Sequence, residues 1–74
     1  GYTILFPEAP GIAAGTPIRK SGVRVGEVTR VALDPDTGQV RVVVAMDPKY
    51  PPRTGEDPTI TRGLLSGDTA IDFL

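Results

Sequence analysis

Val23-Arg24-Val25-Gly26-Glu27-Val28, then Val31-Ala32-Leu33, Asp34-Pro35-Asp36-Thr37-Gly38 and Val40-Arg41-Val42-Val43-Val44-Ala45-Met46 form the stretch that decides the fold. Side chains of a strand alternate between two faces, so Val40, Val42, Val44 and Met46 share one face. The segment before them places proline and glycine where a hairpin turn uses them. The upstream arm is less regular. Val23, Val25, Val31 and Leu33 share one parity and Val28 falls on the other. One extra residue moves a strand to its other face, so a bulge or tight bend is expected at Gly26.

The rest of the chain fits around this hairpin. Tyr2, Ile4 and Phe6 alternate with Thr3 and Leu5, and Pro7 ends that strand. Residues 8–15 read as a loop with room for one helical turn near Ile12-Ala13-Ala14. Residues 16–19 form a short strand, which Pro17 confines to a sheet edge or to a strand start. Lys20-Ser21-Gly22 is a turn. Residues 47–58 hold four prolines. They predict a long, stiff surface connection, more mobile than the strands. Residues 59–61 make a short strand, and residues 69–74 close the chain with Ile71 and Phe73 on one face. No segment of helical length carries apolar residues at period 3.6. Short strands joined by Gly/Pro turns predict an all-β sandwich or barrel, and residues 1–74 form a single domain.

Thr61-Arg62-Gly63-Leu64-Leu65-Ser66-Gly67-Asp68 stands apart. Adjacent strand residues face opposite ways, so Leu64 and Leu65 cannot both reach one core from an extended chain. The flanking glycines point to a loop. Two readings follow: the leucines fold back as a lid on the core, or they are displayed to an apolar partner or ligand. Arg62 pairs with Asp68 across the loop or stays solvated, and both readings rank ahead of contact with an anionic head group.

Composition excludes much chemistry. The chain has no cysteine and no histidine. Disulfides, thiolate ligands, a Ser-His triad at Ser21 or Ser66 and the commonest metal ligand are therefore unavailable within it. Asp34 with Asp36, and Glu56 with Asp57, are paired carboxylates, but both pairs sit among turn residues, where Asp caps its own turn. No catalytic set, cofactor or metal site is expected. Eight basic residues against nine acidic ones leave a formal net charge of −1, which gives no electrostatic footprint for nucleic acid. No apolar run approaches the roughly 20 residues needed to span a bilayer. Gly1 runs straight into a strand and Leu74 ends inside an apolar run, as expected of a piece trimmed from a longer chain. A domain this short buries only about 60% of its unfolded surface, so self-association is a reasonable source of added stability.

Three stretches resemble one family. Gly15-Thr-Pro17-Ile-Arg-Lys-Ser-Gly22-Val-Arg-Val25-Gly26-Glu-Val28 is similar to the G-x-P-V-x-x-x-G-V-x-V-G-x-V signature of the MCE (mammalian cell entry) domain of MlaD-type lipid transporters. Val31-Ala-Leu33-Asp-Pro-Asp and the valine strand resemble its next hairpin. Pro58-Thr-Ile60-Thr-Arg-Gly63-Leu64-Leu65 resembles its late I-x-x-x-G-L-L-G segment. The chain departs from that last pattern twice: Ser66 stands between Leu65 and Gly67, and the spacing from Ile60 to Gly63 is one residue shorter.

The resemblance implies a small seven-stranded β-barrel. It implies a homo-hexameric ring in the bacterial cell envelope, on its periplasmic side, working with ABC-type transporter subunits and anchored to the membrane through a segment outside residues 1–74. The loop Gly63, Leu64, Leu65, Ser66, Gly67 then lines an apolar pore for phospholipid or another hydrophobic substrate. Gly15, Pro17, Gly22, Val25, Gly26 and Val28 make up the structural motif. Two other readings stand beside it. One is a non-enzymatic scaffolding barrel whose leucine loop docks a protein partner. The other is a fragment of an enzyme whose catalytic residues lie elsewhere.

Overall fold

The valine-rich hairpin forms the middle of one sheet. A computed structural model describes residues 1–73 and contains six strands: β1 (Tyr2–Phe6), β2 (Pro17–Lys20), β3 (Val23–Leu33), β4 (Val40–Met46), β5 (Thr59–Arg62) and β6 (Thr69–Phe73). The expected contribution of Leu74 to the last strand lies outside the described residues. The strands are ordered β1-β4-β3-β2-β6-β5. All neighbours are antiparallel except β2 and β6, which run parallel. The sheet curls into a half-barrel. The all-β class is therefore as expected, with six strands among the described residues instead of seven. The single helical turn expected near Ile12 is absent. Two successive turns take its place, with the Ile12 amide on the Ala9 carbonyl at 3.3 Å and the Thr16 amide on the Ala13 carbonyl at 3.1 Å.

The core lies on the concave side. Val42 and Val44 are fully buried, and Val40 and Met46 pack at its margin, so the inner face of β4 is the one the alternation specifies. Phe6, Ile12, Ile18, Val25, Val28, Ile71 and Phe73 complete the cluster. Pro17 opens β2, so a proline can precede an interior strand without breaking a ladder bond within it.

β3 solves its phase problem with two irregularities. Against β2, Ile18 faces Gly26 while Arg19 faces Arg24, so Val25 is the extra residue. Against β4, Val28 faces Val44 while Arg30 faces Val43, so Thr29 is passed over. Each bulge turns the strand once. Val25 (4% exposed) and Val28 (1%) therefore both enter the core despite opposite parity, and Val31 follows them inward. Val23 and Leu33 lie beyond the ends of the packed region and remain exposed.

Gly26 sits beside the first bulge for a different reason from the one its phase suggests. It has no positive φ. A Cβ there would lie 2.4 Å from the Ala45 carbonyl oxygen and 2.9 Å from the Met46 sulfur. The glycine lets β4 approach where the bulged strand crowds it.

The topology sorts the connections to two ends. The parallel pairing of Ile18 with Ile71 and of Lys20 with Phe73 puts the 63–68 loop at the end where β2 begins. The 34–39 turn lies at the same end, because β3 runs antiparallel to β2. The Ser21-Gly22 turn, with φ of 50° and 83°, lies at the other end. Among the described residues no helix is long and apolar enough to cross a membrane.

Candidate functional site

The 63–68 loop is a closed six-residue hairpin connection between β5 and β6. The Gly63 amide donates to the Asp68 carbonyl at 2.9 Å, and the Gly67 amide donates to the Gly63 carbonyl at 2.9 Å. Gly67 has a φ of 71°, a left-handed conformation that costs an L side chain about 1–2 kcal/mol. The Ser66 hydroxyl accepts from the Asp68 amide at 3.2 Å. That hydroxyl lies only 2.5 Å from where a Cβ on Gly63 would stand, so Gly63 leaves room for the serine. Arg62 braces the loop from outside, its Nε donating to the Gly67 carbonyl at 3.2 Å. Of the alternatives for Arg62, an ion pair with Asp68 is not among those of the described residues. The guanidinium meets a backbone oxygen instead.

From this closed base, Leu64 and Leu65 project into solvent at 102% and 104% relative exposure. They do not fold back over the core. Two full leucine side chains in water forgo about 1.5–3 kcal/mol each of burial free energy.

The other expected motif residues build the scaffold. The Gly15 amide donates to the Val28 carbonyl at 2.7 Å, and the Val28 amide donates to the Thr16 carbonyl at 2.8 Å, which stitches the first loop to β3. Pro17 starts β2, Gly22 completes the tight turn into β3, and Val25, Gly26 and Val28 form the bulged core segment. None of them belongs to the leucine loop.

The paired carboxylates are occupied in turns. Asp34 Oδ1 accepts from the Asp36 amide at 2.9 Å, and Asp34 Oδ2 accepts from Arg41 at 3.1 Å. The Asp36 amide first, with help from the Thr37 amide and Arg41, holds the Asp34 carboxyl below its ordinary pKa. Glu56 accepts from the Arg53 amide at 2.7 Å and pairs with Lys20. The Lys20 contact first, then the Arg53 amide, lowers its pKa. The long 47–58 connection is thus tied across 36 residues to the end of β2. No local sequence signal links Lys20 to Glu56.

These features define a class: a small all-β domain that presents two apolar side chains on a braced hairpin tip. The family model for MlaD protein matches residues 1–74, and the chain belongs to that family, whose domain is the MCE domain. The family is related to lipid transport and is generally associated with the bacterial envelope. No curated protein matches the chain.

Proposed function

We propose that this domain passes lipid, with Leu64 and Leu65 facing the apolar path of an oligomeric ring in the bacterial cell envelope. The observation that carries this reading is the full exposure of both leucines on a loop closed at its base by the Gly63–Asp68 and Gly67–Gly63 backbone hydrogen bonds. The tie keeps the apolar pair in place when no ligand covers it. Copies arranged around an axis would bring such pairs together and remove acyl chains from water, at about 0.8 kcal/mol per buried methylene. Apolar contact is non-directional, so a chain can slide along it. The domain holds and guides its substrate and does not transform it. In the full assembly the ring is a homo-hexamer on the periplasmic side, coupled to ABC-type transporter subunits and anchored through a segment outside these residues.

The test is photocross-linking from position 64 or 65 in membranes, compared with the double variant Leu64→Asn/Leu65→Asn probed from Ser66. Strong lipid adducts in the parent, their loss in the double variant and an unchanged melting temperature support the proposal. Adducts to one stoichiometric protein, with no lipid, would replace it with the docking reading.

A further inference from the structure

A second site lies at the opposite end of the sheet. A half-open cavity of about 330 Å³ separates the Ser21-Gly22 hairpin from the 47–58 connection. Val23, Val25, Tyr50 and Pro51 give it apolar walls. Val23 and Tyr50 are exposed, at 62% and 49%. Its charged lining is Lys20, Arg53 and Glu56. Glu56 is already engaged by Lys20 and by the Arg53 amide. The Arg53 guanidinium takes part in none of the ion pairs among the described residues. The lining therefore carries two positive groups and one negative one, and the surplus charge is the arginine beside the apolar wall.

The geometry points to this cavity as a binding site for a small amphipathic anion, a single aliphatic chain ending in a carboxylate. The apolar walls take the chain and Arg53 takes the carboxylate, a planar group that matches its donor fork. At the low end of ligand-site volumes, about 300–1,000 Å³, the cavity suits one short chain and not the paired tails of a phospholipid. The loop that forms one wall is fixed by the Lys20–Glu56 pair and by the Asp47 carbonyl, which accepts from the Tyr50 amide at 2.8 Å. The site is thus formed before a ligand arrives. It stands independently of the leucine loop, which lies at the other end.

The test is an NMR titration of the isotope-labelled chain with sodium decanoate below its micelle concentration, and with decanol as the neutral control. Saturable amide shifts are expected at Ser21, Val23, Tyr50 and Arg53, with residues 63–68 unmoved and decanol binding more weakly. Arg53→Gln, on an exposed loop, should keep the native spectrum and weaken decanoate about ten-fold, the loss of one charge-assisted hydrogen bond. Shifts confined to residues 63–68, no saturable shift, equal binding of decanol, or an Arg53→Gln variant that binds like the parent would each overturn the assignment. None of these outcomes bears on lipid cross-linking at the leucines, so the two readings fail separately.

Discussion

The 34–39 and 63–68 loops are the same piece of backbone with different tips. In each, the first residue's amide donates to the carbonyl five residues on: Asp34 to Gln39 at 2.8 Å and Gly63 to Asp68 at 2.9 Å. In each, a glycine at the fifth position donates to the first carbonyl, Gly38 at 2.8 Å and Gly67 at 2.9 Å, with φ of 74° and 71°. In each, the hydroxyl at the fourth position accepts from the sixth amide, Thr37 and Ser66 both at 3.2 Å. An arginine braces both from outside. They leave the same end of the sheet. At the tip the difference is Pro35-Asp36 against Leu64-Leu65, and at the base Asp34, whose carboxylate accepts from the Asp36 amide, against Gly63. Proline and aspartate are what a turn selects for itself. The first loop therefore demonstrates that this turn closes without apolar residues at its tip. The leucines answer to something other than folding.

A graft breaks or sharpens this comparison most directly. Leu64→Pro/Leu65→Asp places the first loop's tip on the second. Fold and melting temperature should change little, because the tied positions 63, 66, 67 and 68 are untouched. Lipid cross-linking, read with a photoreactive phospholipid, should fall by an order of magnitude or more, as expected if two leucines supply about 1.5–3 kcal/mol each of apolar contact. A melting temperature that collapses would mean that the leucines serve the fold after all.

The shared glycine tests whether the backbones are equivalent in energy as well as in form. Nothing lies within 4 Å of a Cβ built on Gly38 or Gly67, so alanine meets only the left-handed φ. Gly38→Ala and Gly67→Ala should each cost about 1–2 kcal/mol. For a domain of this size each kcal/mol lowers the melting temperature by about 4–8 °C. Thermal melts should show equal losses. A much smaller cost at Gly67 would mean that the leucine loop relaxes to another turn and does not hold its tip rigidly.

Much of this was legible in the sequence. The period-two valines of β4 name their own buried face, because a strand with one face on a core has no other choice. The phase break around Gly26 announces a bulge. It cannot announce two, because Val25 and Val28 could be reconciled by one, and the second at Thr29 becomes necessary only when pairing with β4 is known. The reason for Gly26 was also hidden. A clash with the Ala45 carbonyl depends on which strand lies opposite. The leucine loop was visible as an anomaly, yet a lid and a display look alike in sequence. The decisive signal was present, though faint: Thr37-Gly38 and Ser66-Gly67 occupy the same offsets in two turns. The Lys20–Glu56 tie and the cavity beside it depend on contacts between distant residues, and no spacing rule reaches them.

The hydroxyls should matter less than the glycines. Thr37→Ala and Ser66→Ala each remove one exposed hydrogen bond within the turn, worth about 0.5–1.5 kcal/mol. Chemical denaturation should place both losses in that range. Ser66→Ala also frees the space over Gly63, where the hydroxyl now sits. Gly63→Ala should therefore be better tolerated in the Ser66→Ala background than alone, a coupling measured by a double-mutant cycle. If the two losses simply add, the serine is not what keeps position 63 small.

The smallest difference is in pH response, and it follows from the first residue of each loop. Asp34 offers its carboxylate to the Asp36 amide, and position 63 has no side chain to offer. The folded-state pKa of Asp34 is depressed below its ordinary value of 3.8. A depressed carboxylate adds stability that is fully present above the unfolded value, and that stability disappears as pH falls through the folded one. The 34–39 loop should therefore loosen in acid below about 3.8, while the backbone bonds of the 63–68 loop keep their strength. Carbon-detected NMR of the Asp34 carboxyl measures the midpoint directly. Arg41→Gln should raise it only part of the way, because the Asp36 amide, the larger cause, remains. Full return to the ordinary value in Arg41→Gln would assign the depression to the guanidinium. The turn would then be less self-sufficient than its twin.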